Sequence, residues 1–215
     1  MSYKKPVIKL INNPVGIDAI IQDIQIALNS LGWLKYSFGR AWFFNEVGSS
    51  GKIIKKPKCY IGQGEYYNVL PNDNIISQSF FIVKQAEKYI DYDNLLQGNK
   101  KSRDLSIIFW MKLTKLNSIK DSIFTEELKN DVEFILMMNE NITIQNFFDE
   151  KADDIFAGFT IDDIDTQYLM HPYAGMRFDI NVQYYDLLCN KDLNIITVDS
   201  DIITVDNDIL RVDNG

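Results

Sequence analysis

Along residues 17–31 the apolar positions Ile17, Ile20, Ile21, Ile24, Leu28 and Leu31 recur every three or four residues, with Asp18, Gln22, Gln25 and Asn29 between them. A helix turns once per 3.6 residues, so this spacing gathers the apolar side chains on one face and predicts an amphipathic helix. The breaker cluster Asn13-Pro14-Val15-Gly16 precedes it, and Gly32 is placed to cap its C-terminus. A second helix is predicted over residues 119–138. Ile123, Leu128, Val132, Ile135 and Leu136 form its stripe, and Glu126, Glu127, Lys129, Asp131 and Glu133 lie mostly off it. Residues 144–159 predict a third, shorter helix, followed by the acidic run Asp162-Asp163-Ile164-Asp165.

Other segments carry β-branched and aromatic residues at strand length. These are residues 41–47, 58–62 (with 66–70 extending it past Gln63-Gly64), 77–83, 105–113 and 173–185. The last is the clearest. Ala174, Met176, Phe178, Ile180, Val182 and Tyr184 alternate with Tyr173, Gly175, Arg177, Asp179, Asn181 and Gln183, which predicts one buried face and one wet face. Residues 85–104 are polar and read as a long hairpin arm or loop, with Gly98-Asn99-Lys100-Lys101-Ser102-Arg103 at its tip. Strands clustered between helices predict an α+β fold: an antiparallel sheet with helices packed on one face. Residues 1–190 form one domain in this reading, with the arm protruding at about 85–104.

Residues 191–215 are a separate, extended β-rich tail built on a seven-residue repeat that starts at Asn194, Asp201 and Asp208. Each unit is β-branched and closes on Asp with Ser or Asn, which favours short strands and Asx turns over helix. Extended, such a tail reaches up to ~70 Å and presents unpaired strand edges, which a neighbour's sheet edge would satisfy. Its apolar positions Ile196, Val198, Ile203, Val205, Leu210 and Val212 are therefore interface candidates. A calcium site at Asp199/Asp201 or Asp206/Asp208 lacks the further ligands of a calcium loop.

Composition narrows the function. The chain has 215 residues, 46% apolar and 24% charged, enough to build a core without disulfides or metal. A net charge of −8 and a pI near 4.7 argue against nucleic acid or an anionic membrane surface as the partner. No apolar run is long enough to span a bilayer, and the N-terminus lacks the apolar segment of a signal peptide. Cys59 and Cys189 read as buried free thiols in a reducing compartment.

Candidate chemistry is sparse. The single histidine, His171, precedes Pro172 and cannot supply a metal cluster by itself. Neither cysteine sits in a nucleophile signature. Gly62-Gln63-Gly64 lacks the elements of a phosphate loop and marks a bulge or tight bend. Glu65, Asp73, Glu87 and Lys88 are the nearest candidates for a metal-dependent site, in a spacing that matches no motif. Catalytic, cofactor and metal residues are thus expected to be none. Charge is segregated instead: Lys52, Lys55, Lys56 and Lys58 form one basic patch, and Lys100, Lys101 and Arg103 another. Asp149, Glu150, Asp153, Asp154, Asp162, Asp163 and Asp165 form an acidic one. Unlike patches suit a head-to-tail contact, and such contacts close rings. An acidic lumen would repel phosphates and let a duplex slide.

This order of elements resembles the tail-completion and tail-terminator-like head–tail connector proteins of tailed bacteriophages. The likeness is carried by residues 17–31, by 57–62 through 71–73 and 80–83, by 106–113, and by 178–184. The Asn-, Ile-, Lys- and Asp-rich usage is also similar to neck and tail ring proteins of crAss-like phages. The resemblance covers about residues 15–187 and rests on pattern, without a diagnostic motif; the C-terminal repeat departs from it. It implies a non-catalytic virion subunit forming six- or twelve-fold homo-oligomeric rings between portal and tail, with DNA passing through the lumen. Assembly would take place in the host cytoplasm. Two other readings stand beside it: a metal-dependent hydrolase or nuclease using scattered carboxylates, and a monomeric protein-binding module.

Overall fold

The computed structural model describes residues 8–48, 51–93, 98–116, 125–149, 151–161, 164, 166–187, 195–198 and 201–204. Helix α1 (Ile17–Leu28) leads into β1 (Tyr36–Val47), β2 (Ile53–Gly62), β3 (Glu65–Asn68), β4 (Ser77–Val83), β5 (Lys88–Asp93) and β6 (Gly98–Lys112). Helix α2 (Thr125–Met137), β7 (Ile142–Phe148), the single turn α3 (Ala152–Ile155) and β8 (Tyr173–Leu187) follow, then β9 (Ile195–Val198) and β10 (Asp201–Thr204). The main sheet runs β3-β2-β1-β4-β6-β8-β7, with β5 also on β6. The fold is α+β on a mixed sheet: β1 and β4 pair in parallel, and the other pairs are antiparallel.

β6 is the centre because it is apolar on both faces, the pattern of a strand covered from both sides. On one face Leu105, Ile107, Phe109 and Met111 of β6, with Met176, Phe178, Ile180 and Val182 of β8, meet two helices. Ile17, Ile21, Ile24 and Leu28 of α1 and Leu128, Val132 and Leu136 of α2 are the helical side of that core. Each such side chain contributes about 1.5–3 kcal/mol through burial. On the other face Ile108 and Trp110 join Phe38, Phe80 and Ile82 under Ile155, Phe156, Ile164 and Tyr168. The expectation of helices on one face therefore holds for α1 and α2, whereas α3 and the segment after it cover the second face.

Local chemistry explains the turns. Gly16 starts α1 with φ 56° and ψ −130°, and its carbonyl accepts from the Ala19 and Ile20 amides. At the β2–β3 connection Gln63 and Gly64 both have positive φ (55° and 78°), the geometry of a two-residue type I′ hairpin turn. The Gly62-Gln63-Gly64 bend is thus a hairpin, and residues 65–68 return beside β2 instead of prolonging it.

Four further expectations are corrected. α1 ends at Leu28 with Asn29 as its cap, so Gly32 lies beyond the helix. Residues 142–148 are an edge strand, and the third helix shrinks to Ala152–Ile155. The Gly98–Arg103 run is no loop tip: it is the first half of β6, paired to β5 on one side and β8 on the other. The polar face of β8 is dry at its centre, where Arg177 and Asp179 are 7% and 5% exposed. In the tail, the first two repeats form the short strands β9 and β10, paired antiparallel with Asp201 opposite Val198. Ile196, Val198 and Ile203 lie on these strands. Val205, Leu210, Val212, Asp162, Asp163 and Cys189 fall outside the described residues.

Candidate functional site

Three charged or exposed regions stand out, at the middle and the two ends of the sheet. In the middle, on the face opposite α1 and α2, Asp179 of β8 receives four donors, from β6, from β8 itself and from Lys84 just past β4. Ser106 Oγ donates at 2.7 Å, and Arg177 Nε and Nη2 donate at 3.0 and 3.2 Å. Lys84 Nζ is 2.5 Å away. Burial alone would raise the Asp179 carboxyl; the bonds from Lys84, Ser106 and Arg177 outweigh it and hold it below its ordinary value. Arg177 also donates to the Asp154 carbonyl of α3 and lies over the Phe148 ring at 4.2 Å. The network continues along β8 through Asn181, which bonds Ser102 and Asp104. Every strong acceptor here is occupied, which is the arrangement of a structural ion network.

The second region is the arm. β4 and β5 run out along one side of β6, β8 flanks the other, and the three strands β5, β6 and β8 continue together to the Gly98–Leu187 pair. Its base is pinned by Glu87, which accepts from Tyr184 Oη and pairs with Lys101 at 3.0 Å and Arg103 at 3.8 Å. These bonds, Tyr184's first, hold Glu87 below its ordinary value, while burial and then Glu87 push the Tyr184 phenol up. Lys101 and Arg103, expected as surface cations, are thus spent inside the arm; Lys101 is only 7% exposed. Lys100 sits 6.0 Å from the Tyr185 ring centroid. From the level of Lys101 outward the arm exposes Tyr89 (67%), Ile90 (50%), Tyr92 (47%) and Tyr185 (41%).

The third region is the β1–β2–β3 end. Trp42 pairs with Lys58, Phe44 with Lys56, and Tyr60 with Tyr66, so these six residues share one face. Glu46 joins Lys58 and Lys56 on it, and Arg40 lies 4.0 Å over Trp42 while pairing with Asp18 of α1. Lysine hydrogen bonds, Lys58's first, hold Glu46 below its ordinary value. Lys55 points to the other side of the hairpin, where its backbone exchanges hydrogen bonds with Thr160.

The candidates for metal chemistry do not converge. Asp73 accepts from Tyr173 at 3.0 Å, and bonds from Tyr168 and Tyr173 hold it below its ordinary value. Glu87 bonds Tyr184, eleven residues farther along the same strand, or ~36 Å away. Glu65 opens the edge strand β3 and Lys88 opens β5. Among the described residues, no three His, Cys, Asp or Glu side chains gather where a metal ion would be held. His171, whose bond to Pro172 is cis, borders a cavity of about 190 Å³ with Trp110, Tyr168, Tyr173 and Asp149. Cys59 is a free, fully covered thiol donating to the Gly39 carbonyl at 3.5 Å, and burial pushes its pKa well up. Among the described residues no helix is long and apolar enough to cross a membrane.

Sequence reasoning named the lysines but missed the aromatic residues around them. Tyr89, Ile90 and Tyr92 inside a polar stretch, and Trp42, Tyr60 and Tyr66 on strands, were the available signal. Compared with known proteins, the chain matches no family model, no curated protein and no solved structure.

Proposed function

We propose that this chain is a non-catalytic structural subunit of a tailed-phage virion. It forms a homo-oligomeric ring, six- or twelve-fold, in the head–tail connector, neck or tail, and docks adjacent portal, ring or tail proteins. The observation that carries the reading is the arm. A three-stranded extension held rigid by Glu87, Lys101, Arg103 and Tyr184 presents Tyr89, Ile90, Tyr92 and Tyr185 to solvent. A monomer gains nothing from a stiff projection with exposed aromatic and apolar side chains along it; a neighbour's surface would cover them. The element order that carries the resemblance also supports it: helix, strands, arm, long strand, helix, and the alternating strand β8. Residues 205–215 and the β9–β10 hairpin supply a second reach toward a neighbour. The net charge of −8 suits a lumen through which DNA passes without specific binding.

The test is light scattering with negative-stain microscopy of the purified chain, alone and with its neighbours in the particle. Ring-shaped assemblies are expected, and Tyr89→Ser with Tyr92→Ser should disperse them while leaving the melting temperature unchanged. A chain that stays monomeric and binds none of those neighbours overturns the reading.

A further inference from the structure

The β1–β2–β3 face is uncovered on the side that α1 shields only in part. Trp42, Tyr60 and Tyr66 are 47%, 37% and 45% exposed there, although they sit on hydrogen-bonded strands in the body of the sheet. On the opposite face of the same strands Pro57 and Cys59 are buried, and Phe43, itself half-exposed, meets Phe159 at 5.2 Å. Aromatic side chains beside Arg and Lys are the composition of an interface centre. Three cations, Arg40, Lys56 and Lys58, stand on this face against Glu46 and the Asp18 that pairs with Arg40, a net positive spot in a chain of net charge −8.

Two segments of the chain are candidates to cover it. Residues 1–7 carry Lys4 and Lys5, the sign of the patch itself. Residues 205–215 carry Asp206, Asp208 and Asp213 against a single Arg211, with Ile209, Leu210 and Val212 between. Alternating carboxylates and branched apolar residues complement lysines set among aromatic rings. β3 also ends the sheet on this side, so an extended segment would find a strand edge next to the rings.

We infer that the Trp42–Tyr60–Tyr66 face is the receiving site for the acidic C-terminal segment 205–215 of a second copy of this chain. The inference rests on the assembly reading above and names the surface that reading leaves open. Carboxylates of the segment join Lys56, Lys58 and Arg40, and its apolar side chains lie on the rings.

Charge reversal tests it on the full chain. Lys56→Glu with Lys58→Glu makes a patch-reversed chain; Asp206→Lys, Asp208→Lys and Asp213→Lys make a tail-reversed one. Each alone should need at least about 100-fold higher concentration to assemble, because like charges then face each other. Mixing the two at equal amounts should restore assembly, since each reversed patch meets a reversed tail. Trp42→Ser with Tyr66→Ser probes the same surface without new charge and should weaken assembly while melting like the wild type. Wild-type assembly indifferent to all these changes overturns the inference and leaves the assembly reading standing. Loss in each reversed chain without recovery on mixing also overturns the second-copy assignment, and points to docking within one chain. A wild type that never assembles removes both.

Discussion

Replacing Asp179 with alanine should be the most damaging single change on the polar face of the sheet. Asp179 is 5% exposed and Arg177 is 7% exposed, so the guanidinium left behind cannot turn to water. It would lose its bonds at 3.0 and 3.2 Å and keep only the Asp154 carbonyl; Ser106 would lose its acceptor as well. Lys84 escapes most of the cost because its side chain is 32% exposed and can swing out. Breaking one side of a buried pair costs about 3–5 kcal/mol, and the retained carbonyl bond places this case near about 3–4. In a domain of this size 1 kcal/mol moves the melting temperature by about 2–4 °C, so a drop of about 6–16 °C is expected. Differential scanning calorimetry measures it. The companion is Arg177→Met, alone and combined with Asp179→Ala. Because the cost is an orphaned charge and not a lost attraction, the double variant should recover roughly 2 kcal/mol relative to the sum of the singles. A single-variant loss below about 1 kcal/mol, or strict additivity in the pair, would show that water reaches Arg177 and that the network is not sealed.

Three other changes probe the same architecture. Gly175→Ala places a methyl group 3.2 and 3.3 Å from Ile155 carbons and 3.5 Å from the Phe109 carbonyl; overpacking of this kind costs about 1–3 kcal/mol, and Ile155→Ala in the same chain should return part of it in a denaturant titration. Cys59, covered and with a raised pKa, should not react with a thiol-specific disulfide reagent in a Cys189→Ser chain until guanidinium unfolds it; rapid reaction of the native chain would contradict the packing. Acid should destabilise the fold. Asp179, Glu87 and Glu46 are all lowered in the folded state, so their contribution is present above the unfolded carboxylate range near pH 4 and is lost as pH falls through the folded values. The melting temperature should hold from pH 8 to about 5 and then fall, less steeply in Asp179→Asn; a rise below pH 5 would refute it.

What was legible in the sequence follows from where each element's regularity comes from. α1 and β8 are read correctly because burial alone sets their spacing: Ile17, Ile21, Ile24 and Leu28 at helical intervals, Met176 to Tyr184 at intervals of two. β7 was misread because its register shifts between Ile144 and Asn146. The bulge sets Ile142, Ile144 and Phe147 at unequal intervals, so the period of two is lost and a helical pattern takes its place. The outer half of β6 was missed for a different reason. Its pairs are closed by charge, Lys101 and Arg103 to Glu87, and a strand stabilised by ion pairs has the composition of a loop. Likewise nothing within β8 marks Arg177 and Asp179 as buried, since their burial depends on Ser106 and Lys84 from other strands and on α3. The parallel β1–β4 pairing is equally invisible locally: it arises because the chain makes the β1–β2–β3 meander first and then crosses back to lay β4 on the far side of β1.

The distribution of covered and uncovered surface carries the functional argument further than any one residue. Helices α1 and α2 close one face of the sheet centre, and the α3 segment closes the other, where the buried pair Arg177 and Asp179 is held by further hydrogen bonds. Among the exposed apolar and aromatic side chains, two groups stand at opposite ends of the sheet: Tyr89, Ile90 and Tyr92 on the arm, and Trp42, Tyr60 and Tyr66 beside β3. In the assembly proposed above, a head-to-tail contact, with one end of a copy against a different surface of the next, would cover both and generate a ring or a stack. The arm is stiff, being three strands wide, so its reach is fixed; the C-terminal segment supplies the adjustable contact. Disabling the two ends separately should therefore give different results: without Tyr89 and Tyr92 the rings should disperse, and without Trp42 and Tyr66 they should form only at higher concentration.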